Sequence, residues 1–204
     1  MKKQKPLSKI CPRPYISYSQ LHTVESSPKS YIKTYLYGMK FTNDGIELGR
    51  KVDEALNNPD NEHPEIEIAH LQRFFPRYPE MQKELTAKFA GVPLLGRLDG
   101  FNQKERIIAD NKAMEKYTQE MADKSDQLTF YTMLCVIKFK IPAEKWNLQI
   151  NWAPTFWENE ELKTTGAIHI FKTKRTTRDI IKMGARVVEV AEKINRIVEK
   201  EIKF

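Results

Sequence analysis

Two cysteines, Cys11 and Cys135, are the only thiols in 204 residues. A tetrahedral zinc site or a four-cysteine iron–sulfur cluster needs more ligands than that. The two lie far apart in the chain and fit a reducing compartment with incidental thiols. Long apolar runs are missing as well: none approaches the ~20 residues of a membrane span. The basic opening Met1-Lys2-Lys3-Gln4-Lys5-Pro6 is not followed by the apolar core of a secretory signal. These absences predict a cytoplasmic protein with no membrane association. The chain has no G-x-x-x-x-G-K-[ST], no G-x-S-x-G and no H-E-x-x-H, which excludes a P-loop motor, a serine-hydrolase elbow and a zincin. His22, His63, His70 and His169 are scattered, and none is expected to bind metal.

The length suits one well-filled core. A 40% hydrophobic, 30% charged composition is that of an ordinary globular domain. A net charge of +7 suits a polyanionic partner, since neutralised phosphates release counterions. Residues 1–14 are basic and broken by proline, and read as a flexible arm ahead of a single domain, 15–204.

Helical signals come first. Ser17 with Gln20 marks one helix start, and Ser27-Pro28 marks a second that Gly38 ends. A third runs from about Gly45 to Asn57, with Ile46, Gly49, Val52 and Leu56 on one face. Residues 58–79, rich in Pro, Asn and charge, read as an irregular excursion. The apolar period then changes to two through Leu85, Ala87 and Phe89, and again through Val92, Leu94, Gly96 and Leu98, which predicts strands. Asp99-Gly100 reads as a turn closing the second strand. Arg106 to Lys112 reads as a third strand. A helix over about Ser125–Phe139, strands around Leu148–Trp152 and Ile168–Ile170 with an acidic loop between, and a long helix from Thr177 to Ile202 complete the chain. The order predicts a layered α/β domain with a mixed sheet of about five strands flanked by helices.

Asp99, Asp110 and Lys112 form the constellation with chemistry in it. Asp110 and Lys112 are two apart on a strand and emerge on the same face. A hairpin pairing brings Asp99 beside Asp110. Two converging carboxylates make a hard oxygen site suited to Mg²⁺, and an adjacent ammonium can orient water and offset developing charge. The D/E-x-K triplet occurs at Asp110-Asn111-Lys112, Glu161-Leu162-Lys163 and Glu201-Ile202-Lys203, but only the first follows an apolar strand with an Asp-Gly upstream. The same residues could also form a surface Asp–Lys ladder on an edge strand.

Taken in order, Leu95-Gly96-Arg97-Leu98-Asp99-Gly100, Ile107-Ile108-Ala109-Asp110-Asn111-Lys112 and Gln127-Leu128-Thr129-Phe130-Tyr131 resemble the RecB-type branch of the PD-(D/E)XK nucleases. Tyr15-Ile16-Ser17-Tyr18-Ser19-Gln20-Leu21 is similar to that branch's N-terminal opening, so the resemblance covers about residues 15–140. It implies a restriction-endonuclease-like core and a metal-dependent deoxyribonuclease, most simply an exonuclease of recombination, repair or phage DNA processing. It also implies DNA as partner, with a homo-oligomer or a recombination protein as further partners. Asp99 and Asp110 would bind Mg²⁺ (or Mn²⁺), the backbone carbonyl of Asn111 would be a further ligand, and Lys112 would be the catalytic lysine. Gln127 and Tyr131, at i and i+4 on one helix face, would contact the DNA backbone; helix packing plus a solvent-facing amide is the alternative.

The branch often carries G-x-x-x-H on its first core helix, where this chain has Gly49-Arg50-Lys51-Val52-Asp53. Asp53 could serve there as an oxygen ligand or be an exposed helix acid, whereas Glu54 points about 100° away. Glu84 resembles an acid sometimes found before the strands. Some members hold an iron–sulfur cluster with one N-terminal and three C-terminal cysteines; no cysteine follows Cys135, so no cluster is expected. Trp152, Phe156 and Trp157 either stack on unpaired bases or serve as core and hairpin cap. Lys172, Lys174, Arg175 and Arg178 either contact phosphates or form a solvated face. A nuclease-fold module that binds DNA, or serves a larger complex, without full catalysis is the alternative function.

Overall fold

Capping side chains set the helix starts in this computed structural model, which describes residues 13–202. Most of the basic arm, Cys11 and the third D/E-x-K triplet's lysine lie outside those residues. The Ser17 hydroxyl accepts from the Gln20 amide and opens α1 (Tyr18–Ser26). Ser27 opens α2 (Pro28–Tyr31), which runs into a π-helical turn, Ile32–Leu36, before Gly38 at φ +68. Asn43 caps α3 (Asp44–Asn57). Its inward face is Leu48, Val52, Ala55 and Leu56, while Ile46, expected there, is exposed. The stretch 58–79 is not wholly irregular: it holds α4 (Ile66–Phe74), whose Ile68 and Leu71 pack on α3. Prolines on both sides of those nine residues dilute the helical period in any longer window.

The strands are β1 (Glu80–Phe89), β2 (Val92–Asn102), β3 (Ile107–Met114), β4 (Asn147–Glu158), β5 (Glu161–Thr164) and β6 (His169–Thr173). Ala90 and Gly91, at φ 46 and 87, make the two-residue turn between β1 and β2. The expected acidic loop is a second such turn, Asn159-Glu160 at φ 49 and 65, which pairs β4 with β5. The sheet therefore has six strands rather than about five. β1, β2 and β3 are antiparallel neighbours, and β4 joins β3 in parallel. Leu148–Trp152 of β4 pairs with β6, and Thr155–Glu158 pairs with β5.

The crossover from β3 to β4 carries α5 (Gln119–Asp123) and α6 (Asp126–Phe139). A parallel connection needs such an excursion. Every residue of α6 from Leu128 to Cys135 is buried, because the sheet lies on one side and α7 (Thr177–Ile202) on another. Asp179 accepts from the Thr176 amide at 2.8 Å and starts α7, whose Ile180, Val187, Ala191, Ile194 and Val198 are buried as the period predicts. Along β4, Leu148 and Ile150 enter the core with α6 and α7, whereas Ala153 enters a separate core with α3 and α4. The fold is thus α/β, a mixed six-stranded sheet with helices on both faces. Among the described residues no helix is long and apolar enough to cross a membrane.

Candidate active site

The β2–β3 ladder is only three pairs long, Asn102–Ile107, Phe101–Ile108 and Gly100–Ala109. Beyond Gly100 and Ala109 the two strands part. Asp99 and Asp110 are the first residues past the fork. The Asn111 N–H, left without a partner on β2, donates to Asp99 Oδ2 at 2.7 Å. The Asp99 carboxylate thus replaces a missing rung. Asp99-Gly100 is therefore not the turn expected from the sequence: β2 continues to Asn102, and the reversal lies at 103–106, with Arg106 at φ 57. An Asp-Gly pair signals a turn locally, but here its glycine serves packing. A Cβ on Gly100 would lie 2.1 Å from the Tyr78 ring, and one on Gly96 would lie 2.4 Å from Leu134 and 3.1 Å from Tyr131. Side chains at these two positions would push away the residues that frame the fork.

Asp110 is 1% exposed. Its Oδ2 lies 2.6 Å from Lys112 Nζ, and Oδ1 has no hydrogen-bond partner among the described residues. Lys112 Nζ also donates to Gln127 Oε1 at 2.9 Å, and Gln127 Nε2 donates to the Tyr131 hydroxyl at 2.9 Å. One face of α6 therefore reads out the β3 lysine through a chain Asp110–Lys112–Gln127–Tyr131. Gln127 and Tyr131, expected on DNA, are engaged here within the site, and Tyr131 is 7% exposed.

Burial opposes the charge on Lys112, but the Asp110 and Asp99 carboxylates outweigh it, so its pKa lies above the usual lysine value. The lysine is held as a cation: it can donate hydrogen bonds and offset negative charge, and it does not take up protons. Asp99 behaves in the opposite way. Burial, reinforced by the neighbouring Asp110 charge, pushes its carboxyl up to about 7. Burial also raises Asp53, partly offset by Arg97.

The donors at the fork are hard oxygens, the type a divalent ion takes. Asp110 Oδ1 is a buried oxygen with no hydrogen-bond partner among the described residues, and Asp99 lies across the fork from it. In an extended strand a residue's N–H and C=O face the same edge, so the Asn111 carbonyl faces the side that β2 has left. Asp53 does not complete a cluster: among the described residues no three His, Cys, Asp or Glu side chains converge closely enough to hold a metal. Instead, Gln82 Nε2 donates to Asp53 Oδ1 at 2.8 Å and to Asp99 Oδ1 at 3.3 Å. Asp53, Asp99, Asn111 and Lys112 line a cavity of about 330 Å³ between α3 and the sheet.

Other expected residues lie elsewhere. Lys174 Nζ donates to the Trp146 carbonyl and Asn147 Oδ1 at the opposite end of β3 and β4 from Lys112. Arg175, expected on phosphates, is 4% exposed and spans Thr129, Thr173 and the carbonyls of Ala122, Ser125 and Lys174. Its guanidinium ties α5 and α6 to the end of β6. Glu84 is exposed on β1. Trp152 is partly buried against His169 and Phe171, while Phe156 and Trp157 are exposed on the β4–β5 hairpin. Cys135 is fully buried, and burial raises its thiol well above the usual value.

Gln82 and the Tyr78–Asn151–Asn111 chain were not anticipated. Asn151 Nδ2 donates to Asn111 Oδ1 at 2.9 Å, and the Tyr78 hydroxyl donates to Gln149 Oε1 at 2.8 Å. Their sequence signal is the polar alternation Gln149, Asn151 inside an otherwise buried strand.

No family model and no curated protein matches the sequence. Solved structures match the fold. The "Putative exonuclease" of Eubacterium rectale superposes with a TM-score of 0.59 at 16% identity, over 92% of this chain and 82% of that one. A phage-related exonuclease from Haemophilus somnus 129PT gives 0.55 at 13% identity, over 88% and 84%. The chain shares their fold. At such identity the likeness concerns architecture, and the site rests on its own geometry.

Proposed function

We propose that this chain is a divalent-metal-dependent deoxyribonuclease of the PD-(D/E)XK type, acting from DNA ends as an exonuclease in recombination, repair or phage DNA processing. The observation that carries this reading is the fork in the sheet. It juxtaposes Asp99, the buried Asp110, whose Oδ1 has no hydrogen-bond partner among the described residues, and the cationic Lys112, on a fold shared with two proteins named as exonucleases.

Asp99, Asp110 and the Asn111 carbonyl would hold Mg²⁺, with Mn²⁺ as a substitute. When bound, the ion supplies charge neutralisation at the scissile phosphate. Lys112 orients the attacking water and offsets the charge that develops on the phosphoryl oxygens as the water oxygen bonds to phosphorus and the sugar oxygen leaves. Gln127 fixes the lysine's direction, and Tyr131 fixes Gln127. The net charge of +7 favours encounter with DNA.

The test is cleavage of end-labelled linear and closed circular DNA with Mg²⁺, Mn²⁺ or EDTA, using wild type, Asp110→Ala and Lys112→Ala. Metal-dependent loss of linear DNA alone, absent in both variants, is the expected result. Cleaved circles would make it an endonuclease. Binding without cleavage under any metal would leave the alternative of a nuclease-fold DNA-binding module.

A further inference from the structure

Gln82 occupies an unusual place. Register sets it opposite Asp99, between the paired Met81–Gly100 and Lys83–Leu98, yet these two residues form no rung. Its φ is +51. A residue other than glycine is strained in that region inside a strand and persists there where its surroundings over-determine it. The two carboxylates supply that determination: the Gln82 amide nitrogen has two protons, and it reaches Asp53 Oδ1 on one side and Asp99 Oδ1 on the other. The amide thus bridges Asp53 on α3 and Asp99 on β2.

On the reading of the site proposed above, we infer that Gln82 is a positioning residue, a neutral clasp that ties Asp53 to Asp99 and keeps Asp53 out of direct metal coordination. The site then takes one cation through Asp99, Asp110 and the Asn111 carbonyl, with Asp53 as an outer acid. Asp53 stands on α3 and faces the same cavity as Asp99 and Lys112, so releasing the clasp gives it a path to the ion. Held by Gln82, Asp53 lies near the site yet joins no three-acid cluster among the described residues.

The experiment titrates the intact chain with Mn²⁺, following bound ion by calorimetry and by its electron paramagnetic resonance. Gln82→Gly removes the amide and relieves the positive φ, so the fold is retained. Freed from its tie, Asp53 becomes a ligand, and Mn²⁺ binds about tenfold tighter, as expected for one more charged oxygen. Asp53→Asn alone changes the affinity less than about threefold, and added to Gln82→Gly it cancels the gain. Two results would overturn the clasp: unchanged or weaker binding in Gln82→Gly, or a loss of tenfold or more in Asp53→Asn. Asp110→Asn separates the two levels of argument. If it abolishes Mn²⁺ binding while Gln82→Gly gains nothing, only the clasp fails; if it leaves binding intact, the metal site fails and the clasp with it.

Discussion

Replacing Asp99 by asparagine should stabilise the metal-free protein while abolishing the proposed metal-dependent cleavage. The folded state pushes the Asp99 carboxyl from the usual 3.8 up to about 7, through burial and the nearby Asp110 charge. A raised carboxyl pKa means that the fold favours the protonated form. The associated stability is fully present below the unfolded value near 4 and is lost as pH rises through about 7. Three decades of proton affinity are at most about 4 kcal/mol, at about 1.4 kcal/mol each. Asp99 is partly exposed and shares its shift with Asp110, so about 2 kcal/mol is the working expectation. In EDTA, wild type should therefore lose about 2 kcal/mol between pH 4 and pH 8 from this group, while Asp99→Asn should not. At pH 8 the variant should melt about 4–8 °C higher, given about 2–4 °C per kcal/mol at this size. Asparagine can still accept from the Asn111 amide, so the missing rung remains replaced. Mg²⁺ should reverse the order, since it stabilises only the form that binds it. Urea and thermal melts at the two pH values, with and without Mg²⁺, provide the assay. An asparagine variant less stable than wild type at pH 8 in EDTA would refute the electrostatic reasoning.

Three further outcomes are expected. Lys112→Met should lower the rate about 10²–10³-fold, the scale of one lost charge-stabilising donor, with DNA binding retained; single-turnover cleavage and filter binding check both. Gly96→Ala should cost about 1–3 kcal/mol, because its Cβ meets Leu134 at 2.4 Å and the neighbours of Tyr131 must shift; a urea melt measures this. Arg175→Ala should destabilise by about 3 kcal/mol or more, since buried acceptors from α5, α6 and β6 lose their donor. Arg175→Lys should not rescue it, because lysine lacks the fork, and the folded fraction of either variant should cleave at the wild-type rate.

Chemistry that is local in the chain was legible from the sequence. Capping residues, the change of apolar period from helix to strand and the 3.6-residue face of α7 each depend on neighbours a few positions away, and they define the element order. Asp110 and Lys112 share a strand face by period alone, and their meeting at 2.6 Å follows from it. What depends on partners distant in the chain was decided by the tertiary structure. α4 exists because α3 offers its nine residues an apolar surface, not because its period is strong. Arg175 reads as a phosphate ligand in sequence, yet the ends of α5 and β6 enclose it. Asp99-Gly100 reads as a turn, yet Tyr78 claims the glycine's open face and the strand runs on. The site itself is of this second kind. The types and spacing of Asp99, Asp110 and Lys112 are properties of the chain, but the unpaired carboxylate oxygen, the raised Asp99 and the Gln82 clasp exist only where β2 leaves β3, because charge and desolvation depend on what else is near in space.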